Sequence, residues 1–438
     1  MDFAVVMESI HVKICGVMQM KSIFKRRFLL IGLLAFAGLA VEAEVLDRPS
    51  GFKIGERLTL RPYVSLSLTY DSNVDANYSR QGKDGSKDDF LWTISPSLWL
   101  HYNGENWSTI LSGFYNYRQY FDSAHQNYNH HNFGEDLRWN WSNSAAGEKG
   151  WSLILGESYQ QITMADDMVT DGGANYSGDS KQFQLAGSVQ RQFNQYWHGD
   201  VNASYYWLNY DNDTNNRYSY YGWDRILVGA EVGFAPSRWT DILLNGSWQT
   251  YNQDNVEGST YDGSSQGLTF QGGLASYMTD RISYRLLAGW SQFEYAGGES
   301  KANGFVYTVS GNWKIGETWN TMLLASSYYQ PSERQYATQT RVDAVSWGIA
   351  KVMVRGKLRA TFDIRYRREA HESITDSNWD YNLDIWTGRL GLDYTICRFL
   401  SVFANVEYQK SMNDEAEKRG GAYDYDRWRA TIGLKLQY

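Results

Sequence analysis

From Leu58 to Tyr438, apolar and polar residues alternate in segments of about 10–15 residues, separated by turn or loop residues. A period of two is the strand period, because successive side chains of a strand point to opposite faces. The connections between segments alternate strictly between short and long. Short ones fall at Asn103-Gly104-Glu105-Asn106, Ala146-Gly147-Glu148-Lys149, Phe193-Asn194-Gln195, Pro236-Ser237-Arg238, Thr279-Asp280, Gly316-Glu317, Arg355-Gly356 and Cys397-Arg398. Long polar ones span 71–89, 122–129, 164–178, 211–220, 254–263, 296–302, 332–338, 372–380 and 411–424. Eight short turns and nine long loops predict eighteen strands, with sixteen as the smaller alternative. The fold class is all-β, a transmembrane antiparallel up-and-down β-barrel with both termini on the short-turn side.

Energetics decides which face points outward. In 357–368, Leu358, Ala360, Phe362, Ile364 and Tyr366 share one face, and Arg359, Thr361, Asp363, Arg365 and Arg367 share the other. An Arg facing lipid at the bilayer midplane costs about 2–4 kcal/mol. A slip of one residue would move all three arginines into lipid, so the Leu/Ile face must point out. The last segment repeats the pattern: Trp428, Ala430, Ile432, Leu434, Leu436 and Tyr438 point out, while Arg427, Arg429, Thr431, Lys435 and Gln437 point in. Pro62 and Pro96 fall inside the first two strands, where a shared bulge would accommodate their missing N–H groups.

Aromatic residues mark the strand ends. Trp107, Trp151, Trp197, Trp239 and Trp319 each follow a short turn, at spacings of 44, 46, 42 and 80 residues. A repeat near 40 residues also fits a propeller, but a blade would hold four short strands where each period here holds two long ones. Tyr117, Tyr120, Tyr159, Tyr210, Tyr251, Tyr295, Tyr329, Tyr366 and Tyr408 gather at the opposite ends. Two such groups read as the interfacial girdles of an outer-membrane barrel.

Composition agrees. The chain has 438 residues, 42% hydrophobic and 16% aromatic, with only 5 Pro and a formal charge of −8. The aromatic content argues against disorder, and no stretch of about 20 apolar residues is present to make a membrane helix. Lys21, Lys25, Arg26 and Arg27 precede an apolar run from Phe28 to Val41 that ends Val41-Glu42-Ala43. This reads as a secretory signal peptide over 1–43 for the Sec pathway, in which Met20 looks like the true start and 1–19 an extension. Residues 44–57 form a periplasmic segment, a tail or a small plug, and 58–438 form the barrel. Removing 1–43 takes away five basic and three acidic residues, leaving 36 against 46, or −10. Cys397 then remains alone, so an intramolecular disulfide is excluded.

A family resemblance is carried by Thr69-Tyr70-Asp71-Ser72-Asn73-Val74, then Thr93-Ile94-Ser95-Pro96-Ser97-Leu98, then Tyr115-Asn116-Tyr117 through Tyr128-Asn129-His130-His131. This succession resembles the beta-barrel porin 2 family of Gram-negative outer-membrane proteins. The motifs cover about the first quarter of the mature chain, and the hairpin pattern extends the likeness loosely over the rest. The resemblance implies a transport barrel without catalytic residues; some family members sit beside exopolysaccharide or capsule genes. The C-terminal Tyr438, after an alternating strand, looks like the signal read by the barrel assembly machinery.

A search for chemistry finds no H-E-x-x-H, G-x-S-x-G, P-loop or C-x-x-C pattern. His130 and His131 are adjacent and would face opposite sides of a strand, while His101, His125, His198 and His371 stand alone in the sequence. No enzymatic activity and no cofactor are expected. Asp71-x-Asn73-x-Asp75 and Asp211-x-Asp213-x-Asn215 alternate oxygen ligands, but both lack the Gly and Glu that complete an EF-hand. They read first as Asx-rich turns, and second as cation bridges to lipopolysaccharide.

The stronger constellation is electrostatic. Arg359, Arg365, Arg367, Arg389, Arg427, Arg429 and Lys435 face inward on neighbouring strands, and Arg61 joins them once the barrel closes. Asp363, Asp393 and Glu407 interleave with them. The cluster is either a wall-bracing network or an anion-attracting pore lining. Elsewhere the lining is uncharged, as at Gln182, Gln184, Ser188, Gln190 and Gln192. The leading expectation is an outer-membrane porin passing hydrophilic solutes. Export of an exopolysaccharide and a loop-plugged, surface-binding barrel are the alternatives. Expected partners are outer-membrane lipid, lipopolysaccharide and the assembly machinery, with polysaccharide under the export alternative and no nucleic acid; oligomeric state stays open.

Overall fold

A computed structural model describes residues 51–74, 88–122, 130–142, 150–163, 179–211, 222–237, 239–253, 264–279, 281–295, 301–331, 339–354, 356–372, 381–414 and 425–438. The expected signal peptide lies outside the described residues. The strands are β1 (Phe52–Ile54), β2 (Leu58–Asp71), β3 (Asp89–Asn103), β4 (Trp107–Tyr120), β5 (His130–Ser142), β6 (Trp151–Thr163), β7 (Asp179–Gln192), β8 (Trp197–Asp211), β9 (Trp223–Ser237) and β10 (Thr240–Gln253). They continue with β11 (Ser265–Thr279), β12 (Ile282–Tyr295), β13 (Lys301–Ile315), β14 (Trp319–Pro331), β15 (Gln339–Met353), β16 (Leu358–Glu372), β17 (Tyr381–Cys397), β18 (Leu400–Asn413) and β19 (Tyr425–Gln437). From β2 onward each strand pairs antiparallel with the next, and β19 returns to β2. The result is a closed barrel of eighteen strands plus the short β1. Closure removes the sheet edges that would otherwise expose unpaired backbone groups.

The predicted register holds. Phe362 and Ile364 of β16 are exposed on the outer wall, as are Trp428, Ile432, Leu434 and Leu436 of β19. Ile432 is 58% exposed and Phe270 62%. Apolar exposure on this scale, continuous around the wall, is a liability in water and the ordinary state against acyl chains. The five tryptophans after short turns all lie exposed at the short-turn rim.

The tyrosine girdle needs correction. Tyr366 and Tyr408 do sit outside, packed on Trp386 and Trp428 at ring-centroid distances of 4.6 and 4.5 Å. Tyr120, Tyr251 and Tyr295 instead turn into the barrel and are buried. Each stands an odd number of residues from an exposed neighbour on its own strand, respectively Tyr115, Leu244 and Trp290. Parity therefore sends them inward. The side chain of Tyr210 lies outside the described residues.

The shared bulge expected at Pro62 and Pro96 is absent, because β2 and β3 stay in regular register through Pro62↔Leu98 and Val64↔Pro96. Each proline falls where its other neighbour makes no ladder pair. The β3–β4 pairing skips from Ile94 to Ser97. On the far edge of β2, β1 pairs with residues 58–60 and β19 with residues 63–71, leaving Pro62 between them. Residues 51–57 are thus neither a free tail nor a plug: β1 completes the edge that β19 leaves open. Phe52 stacks on Tyr438 at 3.8 Å, and Tyr438 stacks on Phe399 at 5.1 Å.

One close approach of neighbouring strands depends on missing side chains. A Cβ at Gly273 of β11 would lie 1.8 Å from the carbonyl oxygen of Leu286, and one at Gly289 of β12 would lie 1.8 Å from that of Phe270. The two strands can approach like this only with glycine at both places. Gly289→Val is accordingly expected to destabilise the barrel by about 2 kcal/mol or more. Gly113→Val, on the outer wall with no atom within 4 Å of its Cβ, is expected to be neutral. Urea titration of the protein refolded into lipid vesicles checks both, and equal stabilities would overturn the role given to this close approach.

Candidate functional site

The candidate site is the lumen. Strand register places five luminal side chains directly opposite one another across five consecutive strands. Asp363 of β16 faces Arg389 of β17, Arg389 faces Glu407 of β18, Glu407 faces Arg429 of β19, and Arg429 faces Asp71 of β2. The signs alternate at every step, and cross-strand pairs of opposite charge stabilise a sheet. Arg389 Nε donates to Glu407 Oε2 at 2.8 Å. Arg427 Nε donates to Asp71 at 2.9 and 3.1 Å, and Arg429 Nε donates to Asp71 Oδ2 at 3.1 Å. Asp71 and Arg427 are essentially inaccessible to solvent.

The remaining sequence-predicted residues also find partners. Arg365 lies 3.5 Å from Asp363 and Arg367 lies 2.6 Å from Glu369. Lys435 reaches across the ring of Phe403 to pair with Asp393, which stands opposite Arg359. Arg61 lies at the other end of β2 from Asp71. It sits ten residues along β2 from Asp71, about 33 Å at strand rise, at the short-turn end. The closing pair is staggered: Gln437 already meets Tyr63, and the ladder ends there.

At Asp71 the leading expectation, an Asx turn, agrees with the structure. The backbone N–H of Asn73 donates to Asp71 Oδ1 at 3.1 Å, the geometry of an Asx turn. The carboxylate is otherwise engaged by two guanidinium groups. Asp75 and Asp213 lie outside the described residues, as does the side chain of Asp211. Among the described residues no three His, Cys, Asp or Glu converge as a metal site.

His371 stands alone in the sequence but not in the fold. Its Nδ1 lies 2.9 Å from Thr340 Oγ1, its Nε2 lies 3.0 Å from Glu369 Oε2, and its ring stacks on Tyr381 at 4.4 Å. A hydroxyl, an imidazole and a carboxylate in this order are the parts of an activated nucleophile. Thr340 is only 1% exposed, however, so no substrate reaches the hydroxyl in this arrangement. The cluster braces the mouth of the lumen.

The facing wall is built differently. On β8–β10, half the circumference away from β17–β19, Arg285 of β12 reaches over two strands to form a fork with Glu231 of β9. His198 lies 3.7 Å from Asp241. Nearer the long loops, Trp223 is held between Tyr206 and Tyr251 at 4.7 and 4.8 Å, with Leu208 packed behind and Arg225 beside them. Sequence reasoning missed this group. Counting parity from the exposed Ile226 and Val228 would have placed Trp223 and Arg225 inside.

No protein-family model matches the chain, and no curated protein does. Among solved structures it is similar to the outer membrane protein opdK of Pseudomonas aeruginosa, at 12% identity and TM-score 0.43, over 86% of this chain and 99% of that one. It is also similar to the siderophore receptor PiuA of Acinetobacter baumannii, at 9% identity and TM-score 0.46, over 89% and 82%. The FrpB iron transporter of Neisseria meningitidis gives 8% identity and TM-score 0.44, over 90% and 82%. Overlaps of this size carry no argument about what this barrel does.

Asp71 is the residue on which the charge ladder closes. Asp71→Asn leaves two buried guanidinium groups short of a counter-ion, and a loss of about 3 kcal/mol is expected. Lys435→Gln removes a partly exposed pair and is expected to cost about 1 kcal/mol or less. Denaturant midpoints of the two refolded variants check the difference, and the reverse order would overturn it.

Proposed function

We propose that the chain is an outer-membrane barrel giving hydrophilic solutes passive, weakly selective passage. The observation that carries this reading is the division of each strand into two populations. Alternate residues form an exposed apolar belt outside and a polar lining inside. Eighteen strands enclose more space than side chains alone fill, as in water-filled channels. The lining favours passage over capture. Gln182, Gln184, Ser188, Gln190 and Gln192 of β7 offer hydrogen bonds without net charge. On the charged side, Arg365, Arg367, Arg389, Arg427, Arg429 and Lys435 each have a carboxylate within reach. A neutralised wall braces the barrel and sorts ions weakly, which favours the bracing role over an anion-attracting one.

The resemblance to the beta-barrel porin 2 family and the signal peptide expected over 1–43 support the same reading. So does Tyr438, as the residue the assembly machinery would read. Lipopolysaccharide would be the outer-leaflet neighbour.

Conductance decides the matter. The purified protein in planar bilayers is expected to give stepwise open currents with little preference between anions and cations. Replacing Arg365, Arg367 and Arg429 by Gln is expected to leave that preference nearly unchanged. Insertion without any open current would falsify the passage reading and favour a loop-plugged barrel. A large selectivity change in the triple variant would restore the arginine wall to the mechanism.

A further inference from the structure

We propose that Arg225, with Tyr206, Trp223 and Tyr251, forms a subsite in the lumen for the carboxylate-bearing ring of an acidic saccharide. The inference rests on the passage reading, since the ligand must enter the lumen, and it adds a ligand class to it. Register sets Gln184, Tyr206, Arg225 and Tyr251 directly opposite one another on β7, β8, β9 and β10. The guanidinium carbon of Arg225 lies 5.9 Å from the Tyr206 ring and 6.0 Å from the Tyr251 ring, so aromatic faces hold it from both sides. Cation–π contact of this kind fixes the side chain without using its N–H donors.

Two features point to a ligand. Arg225 has no carboxylate partner among the described residues, unlike the arginines of the facing wall, whose charges are met by Asp71, Asp363, Glu369 and Glu407. Among the described residues, the indole Nε1 of Trp223 and the Nε of Arg225 are both buried without an acceptor, and Trp223 is only 8% exposed. Buried donors are nearly always paired in folded proteins. A bound carboxylate supplies acceptors to an arginine fork. The C–H face of a pyranose suits the half-buried ring of Tyr206, and the Gln184 amide stands beside that ring to meet a hydroxyl. A small inorganic anion would use the guanidinium alone and leave the aromatic rings without a role.

The test is calorimetric titration of the folded protein in detergent with trigalacturonate, maltotriose and sodium sulfate. Trigalacturonate is expected to bind, maltotriose to bind more weakly, and sulfate to compete poorly. Arg225→Gln is expected to lower trigalacturonate affinity about tenfold or more while leaving maltotriose unaffected. Arg225→Lys keeps the charge but loses the fork, and it should fall between the two. It also carries the test should the Gln variant fail to show the gel mobility shift of a folded barrel on heating. Unchanged affinity in both variants, or sulfate competing as well as trigalacturonate, would overturn the subsite. Binding is read without current, so a protein that binds but does not conduct sinks only the passage reading. One that conducts but does not bind sinks only the subsite.

Discussion

In a bilayer a strand edge has no water to satisfy its N–H and C=O groups, and each orphaned group costs several kcal/mol. Everything else in this barrel follows from the need to close, which β19 does by pairing with β2. Closure is staggered. The last residues of β19 reach only as far as Tyr63, so the lower edge of β2 would remain bare without β1. Pro62 marks the exchange of partners, at the place on that edge where a missing donor costs least. The Phe52–Tyr438–Phe399 stack then covers the junction from outside.

The same stagger arranges the charges. Opposed residues on neighbouring strands climb toward the long loops, so Asp363 lies deep in the barrel while its counterpart Asp71 lies at the mouth. A chain of single pairs becomes an oblique stripe in which each arginine has a carboxylate partner. Burying such groups is costly unless each finds its partner, and the register supplies the partners. Arg225 is held instead by aromatic rings, and it is the departure from this rule that gives it a different meaning.

How much of this was legible in the sequence depends on the distance over which a signal acts. Period-two alternation and turn spacing are local, and they locate all eighteen strands and the outward face of β16 and β19. Counter-ions are not local. Asp71 reads as an Asx-turn residue, and nothing local announces its partners Arg427 and Arg429 at the other end of the chain. Thr340 and His371 meet only through the β15–β16 register. The inward tyrosines are a different matter: their parity is legible in the sequence, and a place at a strand end does not by itself turn a side chain toward lipid.

The alternation of sign along the stripe also limits how far it acts. Strands stand about 4.8 Å apart, so like charges recur only every second strand, about 10 Å. The potential of such an alternating row cancels within a few ångströms of the wall, even before salt screens it. Near the barrel axis the field of the stripe is therefore weak, whereas close to the wall it is strong and of both signs. The stripe acts by contact and leaves the barrel axis electrically quiet.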